Sequence, residues 1–259
     1  MLTPNQISEK FLAVGKAKTE LPLWKMFLLG LAAGAFIGLA GVGCTQMNAL
    51  LGGGVGKMMG ALIFPVGLVL VILAGSELFT GNCLIALSVA QKRVKLRKML
   101  KNWAVVYVAN FLGAALVAAC VALLGGITAE SFQAAALSSA AAKCTLTFGQ
   151  ALVRGLLCNV LVCLAVWVAT AAETAGGKVA ALYMPIALFV LCGFEHIVAN
   201  MYFIPAGLFY QAVSGVETAG LTLSNAVLNH FIPVTLGNII GGLAVALLYA
   251  TVYQNKKEN

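Results

Sequence analysis

The sequence predicts an all-α membrane protein with six transmembrane helices, built as two inverted three-helix repeats in which helices two and five are broken. Hydrophobic residues make up 61% of the 259-residue chain and charged residues only 9%, whereas a soluble domain has roughly 25% charged residues. Six apolar runs are each long enough to cross a bilayer. The second and the fifth of these runs carry the same polar pattern in their middle, which indicates an internal repeat.

The chain begins with a polar segment that carries four lysines and has no apolar centre. A secretory signal peptide requires such a centre, so we expect this segment to stay on the side of synthesis. Its weak apolar pattern indicates an amphipathic helix on the membrane surface. The predicted organisation is a cytoplasmic N-terminal segment at 1–25, a single transmembrane domain at 26–253 and a cytoplasmic tail at 254–259.

The six apolar runs define the predicted spans, because a membrane helix needs about 20 apolar residues. The spans run at 26–46, 61–90, 102–124, 147–172, 179–211 and 226–253. An even number of spans places both termini on one face. Placing that face in the cytoplasm assigns every lysine and arginine to it except Lys57, Lys143 and Arg154, as the positive-inside rule requires.

The net charge of +8 would favour a nucleic-acid partner in a soluble protein. Here the basic residues lie in short segments between apolar runs, so membrane orientation explains them and no nucleic-acid partner is predicted. The seven cysteines are odd in number, scattered and without metal-ligand spacing. We interpret them as small buried apolar groups, and we predict no metal site and no cofactor.

Two short polar stretches interrupt the apolar runs. Residues 75–82 read GSELFTGN and residues 193–200 read GFEHIVAN, so both contain Gly, then Glu two positions later, then a small residue followed by Asn. Polar groups are costly inside a bilayer and mark a pathway or a site. Non-helical backbone at that depth survives only where it is buried in protein or lines a cavity. We therefore predict that both helices break here; the alternative is that the glycines only pack helices together.

The repeat continues beyond the two breaks. The third span contains Asn110 and Gly113, and the sixth contains Asn238 and Gly241 with the same spacing. Three spans in each half mean that the second half begins on the opposite side of the membrane from the first. In folds with such inverted repeats, transport sites lie near the middle of the membrane at the broken helices.

His196 is one of two histidines in the chain and lies within the fifth span, beside the predicted break. A histidine on an apolar helix face is often a packing residue, but the break favours a functional role. Because the unperturbed pKa of histidine lies closest to neutrality, its side chain can lend a proton or a hydrogen bond to a passing molecule. His230, at the start of the sixth span, is interpreted as structural.

Three groups of residues carry a resemblance to a known family. They read AGSELFTGN at 74–82, RGLLCN at 154–159, and GFEH at 193–196 followed by ANM at 199–201 and Ile204-Pro205. The chain resembles the formate/nitrite transporter family, which includes formate, nitrite and hydrosulfide channels. The resemblance extends from the N-terminal segment to the sixth span. It implies a homopentamer of aquaporin-like protomers, each with its own pore.

The resemblance also implies roles for single residues. His196 resembles the central pore histidine and Thr80 its neighbour on the other break, while Lys143 resembles a lysine of the outer vestibule. Two asparagines are implied as polar partners near the centre: Asn159 and Asn200. Four apolar residues match positions of the hydrophobic constrictions: Phe64, Leu68, Leu78 and Phe189.

Two glutamates in the breaks have competing interpretations. Glu77 and Glu195 could be proton-relay carboxylates, as acids inside membranes often are. Each also lies where a helix restarts, so it could cap free backbone N–H groups. We favour capping, because a charged acid facing the pore would repel an anion. Asn82 and Asn200 are likewise expected to bind backbone at the breaks.

Together these observations predict a channel or transporter for a small monovalent weak-acid anion, with formate ranked first. An apolar constriction opposes a bare anion, because desolvating a charge costs several kcal/mol, whereas the protonated acid avoids this cost. Lys143 is expected to attract the anion, and a proton is expected to be involved at His196. The expected setting is the plasma membrane of a bacterial-type cell, with both termini in the cytoplasm.

Other functions are open to different degrees. Nitrite and hydrosulfide are alternatives to formate, since the residues placed above are shared among all three. A neutral-solute channel for water, glycerol or ammonia is less favoured, because the sequence has no paired Asn-Pro-Ala turns and a lysine with a central histidine suits an anion better. An enzyme is not predicted, because the sequence contains no recognisable nucleophile, metal cluster or soluble domain.

Overall fold

The computed structural model describes residues 1–253, and the predicted tail at 254–259 lies outside them. Every regular element within the described residues is a helix. The α-helices are α1 (Pro4–Glu20), α2 (Leu23–Leu51), α3 (Gly53–Ile63), α4 (Val66–Ala74), α5 (Phe79–Asn82), α6 (Ile85–Ala90), α7 (Leu96–Ala122), α8 (Glu130–Cys144), α9 (Phe148–Ala171), α10 (Ala175–Leu191), α11 (Ile197–Ser214), α12 (Leu223–Asn225) and α13 (Ile232–Val252). A π-helix at Ala226–Phe231 lies between α12 and α13.

The predicted spans are confirmed as long apolar helices. Six stretches within the described residues are long and apolar enough to cross a membrane: Leu23–Leu51, Gly53–Ala74, Leu96–Ala122, Phe148–Ala171, Ile197–Ser214 and Leu223–Val252. Two shorter apolar helices, Phe79–Ala90 and Ala175–Leu191, form the other halves of the broken spans. Large apolar side chains such as Leu28, Leu116 and Leu247 are exposed on the outside, as expected of helices that face lipid.

The cysteines only partly match their sequence interpretation. All of them are unpaired, and all are buried except Cys120 and Cys192, which are exposed. Cys120 lies on α7 and Cys192 directly follows α10, and a small apolar side chain needs no partner at an exposed position. The expected burial is therefore wrong for these two positions.

The two halves of the chain repeat the same packing. In the first half α2 packs along α7, and in the second half α9 packs along α13. Gly113 on α7 lies against the backbone of Leu31, and Gly241 on α13 lies against the backbone of Leu156. A Cβ atom at either glycine would collide with the neighbouring helix. Small residues at these two positions therefore permit the close helix contact within each half.

Both predicted helix breaks are confirmed. α4 ends before Gly75, which has the left-handed φ of +79°, and α10 is followed by Gly193, with φ +69°. An L-residue rarely adopts this conformation, so glycine permits the chain to leave the helix there. The chain then runs in extended form before α5 begins at Phe79 and α11 begins at Ile197.

Two helices outside the spans each lie beside one break. α1 begins at a capping box formed by Thr3 and Gln6, and Lys18 near its end reaches the first break. Lys143 near the end of α8 reaches the second break. The first break bonds to α2 near its start, from Glu77 N to Leu29 O, whereas the second break faces a cavity that Cys44 and Asn48 line near the end of α2. The two breaks thus lie toward opposite ends of α2, as the predicted inverted repeats require.

Candidate functional site

An asparagine from a neighbouring helix holds each break. The Oδ1 of Asn110 accepts a hydrogen bond from the backbone N–H of Phe79 (2.9 Å), and its Nδ2 donates to the carbonyl oxygens of Gly30 (2.7 Å) and Glu77 (2.9 Å). Asn238 makes the corresponding three bonds at the second break. Both side chains are fully buried. They satisfy backbone groups that the breaks would otherwise leave unpaired in an apolar interior.

Glu195 does not cap backbone N–H groups, which corrects the sequence interpretation. Its Oε2 accepts hydrogen bonds from Lys143 Nζ (2.7 Å) and from Asn200 Nδ2 (2.9 Å). Asn200 therefore binds a side chain, not the backbone that was expected. The reason is that Asn238 already occupies the free N–H of Ile197, whereas a buried carboxylate requires a charged partner.

Glu77 has the equivalent environment at the first break, so the capping interpretation is wrong here as well. Its carboxylate accepts from Lys18 Nζ (2.7 Å) and from Asn82 Nδ2 (2.7 Å). Asn82 also donates to Asn102 Oδ1 (2.9 Å), and so it too binds side chains in place of backbone. Sequence reasoning missed Lys18, because its position on α1 does not distinguish it from the other lysines of that segment.

His196 and Thr80 meet at the centre of the molecule, where the two breaks come together. The Nδ1 atom of His196 accepts a hydrogen bond from the backbone N–H of Ala199 (3.0 Å), so this side chain is the N-cap of α11. A neutral imidazole then carries its hydrogen on Nε2, which lies 2.8 Å from Thr80 Oγ1. Nε2 therefore donates to Thr80, and the hydroxyl hydrogen of Thr80 has no acceptor among residues 1–253.

Asn159 lies behind Thr80 and does not line a described cavity. Its Nδ2 donates to the carbonyl oxygens of Asn238 (2.6 Å) and Thr80 (3.3 Å), and the side chain is fully buried. The predicted polar partner Asn159 is thus near the centre. It links Asn238, which supports the second break, to Thr80 of the first break.

His230 is fully buried and belongs to the ion-pair cluster of the second break. Its Nδ1 lies 3.0 Å from the carbonyl oxygen of Lys143, which can only accept, so Nδ1 donates. In the neutral form Nε2 then accepts from Asn200 Nδ2 at 2.7 Å, and it lies 3.8 Å from Glu195 Oε2. The sequence did not indicate this contact with the ion pair.

Two cavities enter the molecule from opposite faces. The α1 vestibule, of about 310 Å³, contains Lys18 and Glu77. The α8 vestibule, of about 520 Å³, contains Lys143, Asn200 and one side of His196. Between the two lies a narrow cavity of only about 10 Å³, which is close to the smallest volume that holds one water molecule.

The narrow cavity brings together all four predicted constriction residues. Leu68 and Leu78 line it where it meets the α1 vestibule, and Phe64 and Phe189 line it where it meets the α8 vestibule. The rings of Phe64 and Phe189 meet edge to face at 5.8 Å. His196 is the polar residue of this lining. Thr80 does not line the cavity and is linked to it through its hydrogen bond with His196.

The arrangement favours the passage of small molecules over covalent chemistry. A solute must lose its hydration between two apolar constrictions, because the space holds about one water molecule. His196, whose two ring nitrogens are both fixed by hydrogen bonds, is the polar group that it meets there. No group of three or more metal-binding side chains occurs within residues 1–253.

Comparison with known proteins gives matches along almost the entire chain. The family model described as formate/nitrite transporter matches residues 5–252. A probable formate transporter of Methanothermobacter thermautotrophicus is 39% identical, over 97% of this chain and 97% of that protein. A formate channel of Haemophilus influenzae is 36% identical, over 93% of this chain and 90% of that protein.

Solved structures agree with the observed architecture. A pentameric formate channel with formate bound matches with a TM-score of 0.78 and 35% identity, over 90% of this chain and 98% of that chain. An ion channel described as a member of the FNT family matches with a TM-score of 0.83 and 28% identity, over 98% of both chains. The predicted fold class is confirmed, and the relatives are named as channels or transporters, in agreement with the expectation of transport in place of catalysis.

Proposed function

Because the chain belongs to the formate/nitrite transporter family, we propose that this multi-pass membrane protein is a formate channel in which a proton participates at His196. Its relatives at 36–39% identity include a named formate channel and a probable formate transporter. The observation that carries the proposal is the His196–Thr80 hydrogen bond beside an otherwise apolar cavity of about 10 Å³.

The narrow cavity supports the participation of a proton. A bare anion would lose its hydration between the leucine and phenylalanine constrictions, at a cost of several kcal/mol. The protonated acid is neutral and does not carry this cost. The anion and a proton therefore cross together, so that net movement equals that of the neutral acid.

His196 and Thr80 act together during this passage. The Nε2–H group of His196 donates to the Thr80 hydroxyl, which does not line the narrow cavity, so Thr80 holds the imidazole in place beside the substrate. Protonation of Nδ1 would break its hydrogen bond from the N–H of Ala199, so a proton taken up at His196 is readily passed on to the anion. In this proposal the proton is taken from a vestibule and released with the anion on the far side.

The assembly and orientation are part of the same proposal. We infer a homopentamer in the plasma membrane, because one matched structure is named a pentameric formate channel. We place α1 in the cytoplasm, because the basic residues between apolar runs then lie almost entirely on that side. The α8 vestibule with Lys143 would then open to the outside.

The test uses purified protein in proteoliposomes. Initial uptake of formate, nitrite and hydrosulfide is measured in competition and at several pH values, for the wild type, His196→Leu and His196→Asn. Asparagine keeps an N-cap acceptor for α11 but does not titrate, so it separates loss of the proton group from loss of the cap. Thr80→Ser keeps the hydroxyl and serves as the matched control for Thr80→Val.

We expect the wild type to take up formate in preference to nitrite and hydrosulfide, at a rate that depends on pH. Both His196 variants should lose this pH dependence. Unchanged pH dependence and selectivity in His196→Asn would refute the role of the histidine. Preferred uptake of nitrite or hydrosulfide would assign one of those anions in place of formate. Passage of water or glycerol without any of the three anions would instead support a neutral-solute channel.

A further inference from the structure

Two lysines that take no part in the break ion pairs face the two vestibules. Lys57 lines the α8 vestibule, and Lys178 lines the α1 vestibule. We propose that these two lysines are the residues that capture the anion at the two mouths of the pathway, one at each mouth. This inference rests on the proposed function as an anion channel, and it assigns the capture step to residues other than Lys143 and Lys18.

The lysines of the ion pairs are poorly suited to attract an anion over a distance. Lys143 Nζ is 2.7 Å from Glu195 Oε2, and it also lies 5.2 Å from the ring centroid of Phe203. Lys18 Nζ is 2.7 Å from Glu77 Oε1. The field of a close pair of opposite charges falls off faster with distance than the field of a single charge. An arriving anion must also compete with a carboxylate that already holds the ammonium group.

Lys57 and Lys178 have no such partner. No carboxylate of residues 1–253 lies within 4.0 Å of either Nζ atom. Lys57 is exposed, and Lys178 is half-buried. Lys10 also lines the α1 vestibule, and no carboxylate of residues 1–253 lies within 4.0 Å of its Nζ atom either, but it lies on α1 and not on a broken helix. Each vestibule thus contains one lysine that is paired with a break glutamate and one lysine on a broken helix that is not.

The positions of Lys57 and Lys178 follow the inverted repeat. Lys57 lies on α3, the first helix of one broken span, and its Nζ is 3.9 Å from where a Cβ atom would be at Gly193, in the break of the other span. Lys178 lies on α10, the first helix of the other broken span, and lines the same vestibule as Gly75. The first half of each broken span therefore carries a lysine, and this lysine lines the vestibule that contains the break of the other span.

This geometry gives the two lysines a defined part in transport. A cavity with apolar walls concentrates the field of a single charge, and such fields raise the local concentration of an oppositely charged solute by about 10-fold or more. The effect acts on the arrival of the anion and not on its passage through the constriction. It should weaken with salt, because the Debye length falls to about 3 Å at 1 M.

The experiment measures transport from each side separately. Right-side-out and inside-out membrane vesicles carry the wild type, Lys57→Gln, Lys178→Gln or the charge-preserving variants Lys57→Arg and Lys178→Arg. Initial rates are recorded against the concentration of formate, nitrite and hydrosulfide outside the vesicle. Arg154→Gln and Lys101→Gln are the matched controls, because each removes one exposed charge at a position that lines neither vestibule.

We expect Lys57→Gln to raise the half-saturating anion concentration about 10-fold in one vesicle orientation only, and Lys178→Gln to do so in the opposite orientation only. The maximal rate should change little, the arginine variants should resemble the wild type, and the difference should shrink at 1 M salt. If the wild type conducts one of the anions but Lys57→Gln and Lys178→Gln have the same half-saturating concentration as Arg154→Gln and Lys101→Gln, this inference alone is overturned. A wild type that conducts none of the three would refute the proposed function and this inference with it.

Discussion

Asn110 and Asn238 make the same three hydrogen bonds in the two halves of the molecule. Each Oδ1 accepts from the backbone N–H of the residue where a helix restarts, at 2.9 Å in both cases. Each Nδ2 donates to a helix carbonyl at 2.7 Å and to the carbonyl of a break glutamate at 2.9 Å. The repeat is therefore preserved in the support of the breaks, where both halves face the same physical problem.

These bonds predict equal destabilisation by Asn110→Ala and Asn238→Ala. Each change leaves buried backbone groups without a partner, which costs about 1–3 kcal/mol per group. Thermal unfolding of the purified protein in detergent measures the loss. Asn229→Ala, a partly buried asparagine outside the breaks, should change stability by less than about 0.5 kcal/mol. A loss at only one of the two positions would contradict the equivalence.

The Lys143–Glu195 pair predicts strong coupling between its members. Lys143→Met leaves a carboxylate that is only 5% exposed without its cation, and such a change costs about 3–5 kcal/mol. Glu195→Gln in the same chain removes the uncompensated charge, so the double variant should be more stable than Lys143→Met alone. Unfolding of the wild type, both single variants and the double variant gives the coupling energy. Simple additivity of the two losses would show that the charges do not interact.

The contacts of His230 predict that its hydrogen bonds, more than its volume, stabilise the second break. His230→Leu fills similar space but leaves the carbonyl of Lys143 and the amide of Asn200 each short of a partner, at a cost of about 1–3 kcal/mol for each group. His230→Asn retains one donor and one acceptor and should recover part of the loss. Melting temperatures of the two variants provide the comparison, and a leucine variant as stable as the wild type would exclude this role.

The narrow cavity predicts that Leu78→Ala widens the pathway. Truncation of a buried leucine costs about 2–5 kcal/mol, so a matched control must carry the same penalty elsewhere. Leu87→Ala on α6 provides it, because Leu87 is fully buried and does not line the narrow cavity. Water permeability and uptake of a larger weak acid, such as acetate, should rise in Leu78→Ala only. Equal permeability of the two variants would place the constriction elsewhere.

Much of this architecture could be predicted because it depends on local patterns. Apolar runs of bilayer length identify the spans, and a Gly, Glu and Asn at fixed spacing identify both breaks. The central position of His196 followed from the same pattern, since Leu78 stands at the corresponding place in the first repeat and only one half carries a histidine.

The partners of those residues could not be predicted in the same way. Glu77 binds Lys18 from 59 positions away, and Glu195 binds Lys143 from 52 positions away, which depends on where α1 and α8 pack against the spans. The sequence interpretation assigned the carboxylates to backbone capping because it considered only neighbours along the chain. The sequence identifies Asn110 and Asn238 as a repeat, but their hydrogen-bond partners are set only by the packing of the helices.

The sequence by itself determined that this is a broken-helix membrane protein with one histidine at its centre, because hydrophobicity and helix-breaking residues act over short stretches of chain. Only the tertiary structure decided which lysines are neutralised by the break glutamates and which are left to face the vestibules. That distinction depends on distances of a few ångströms between distant helices, and on the requirement that a buried charge obtain a partner.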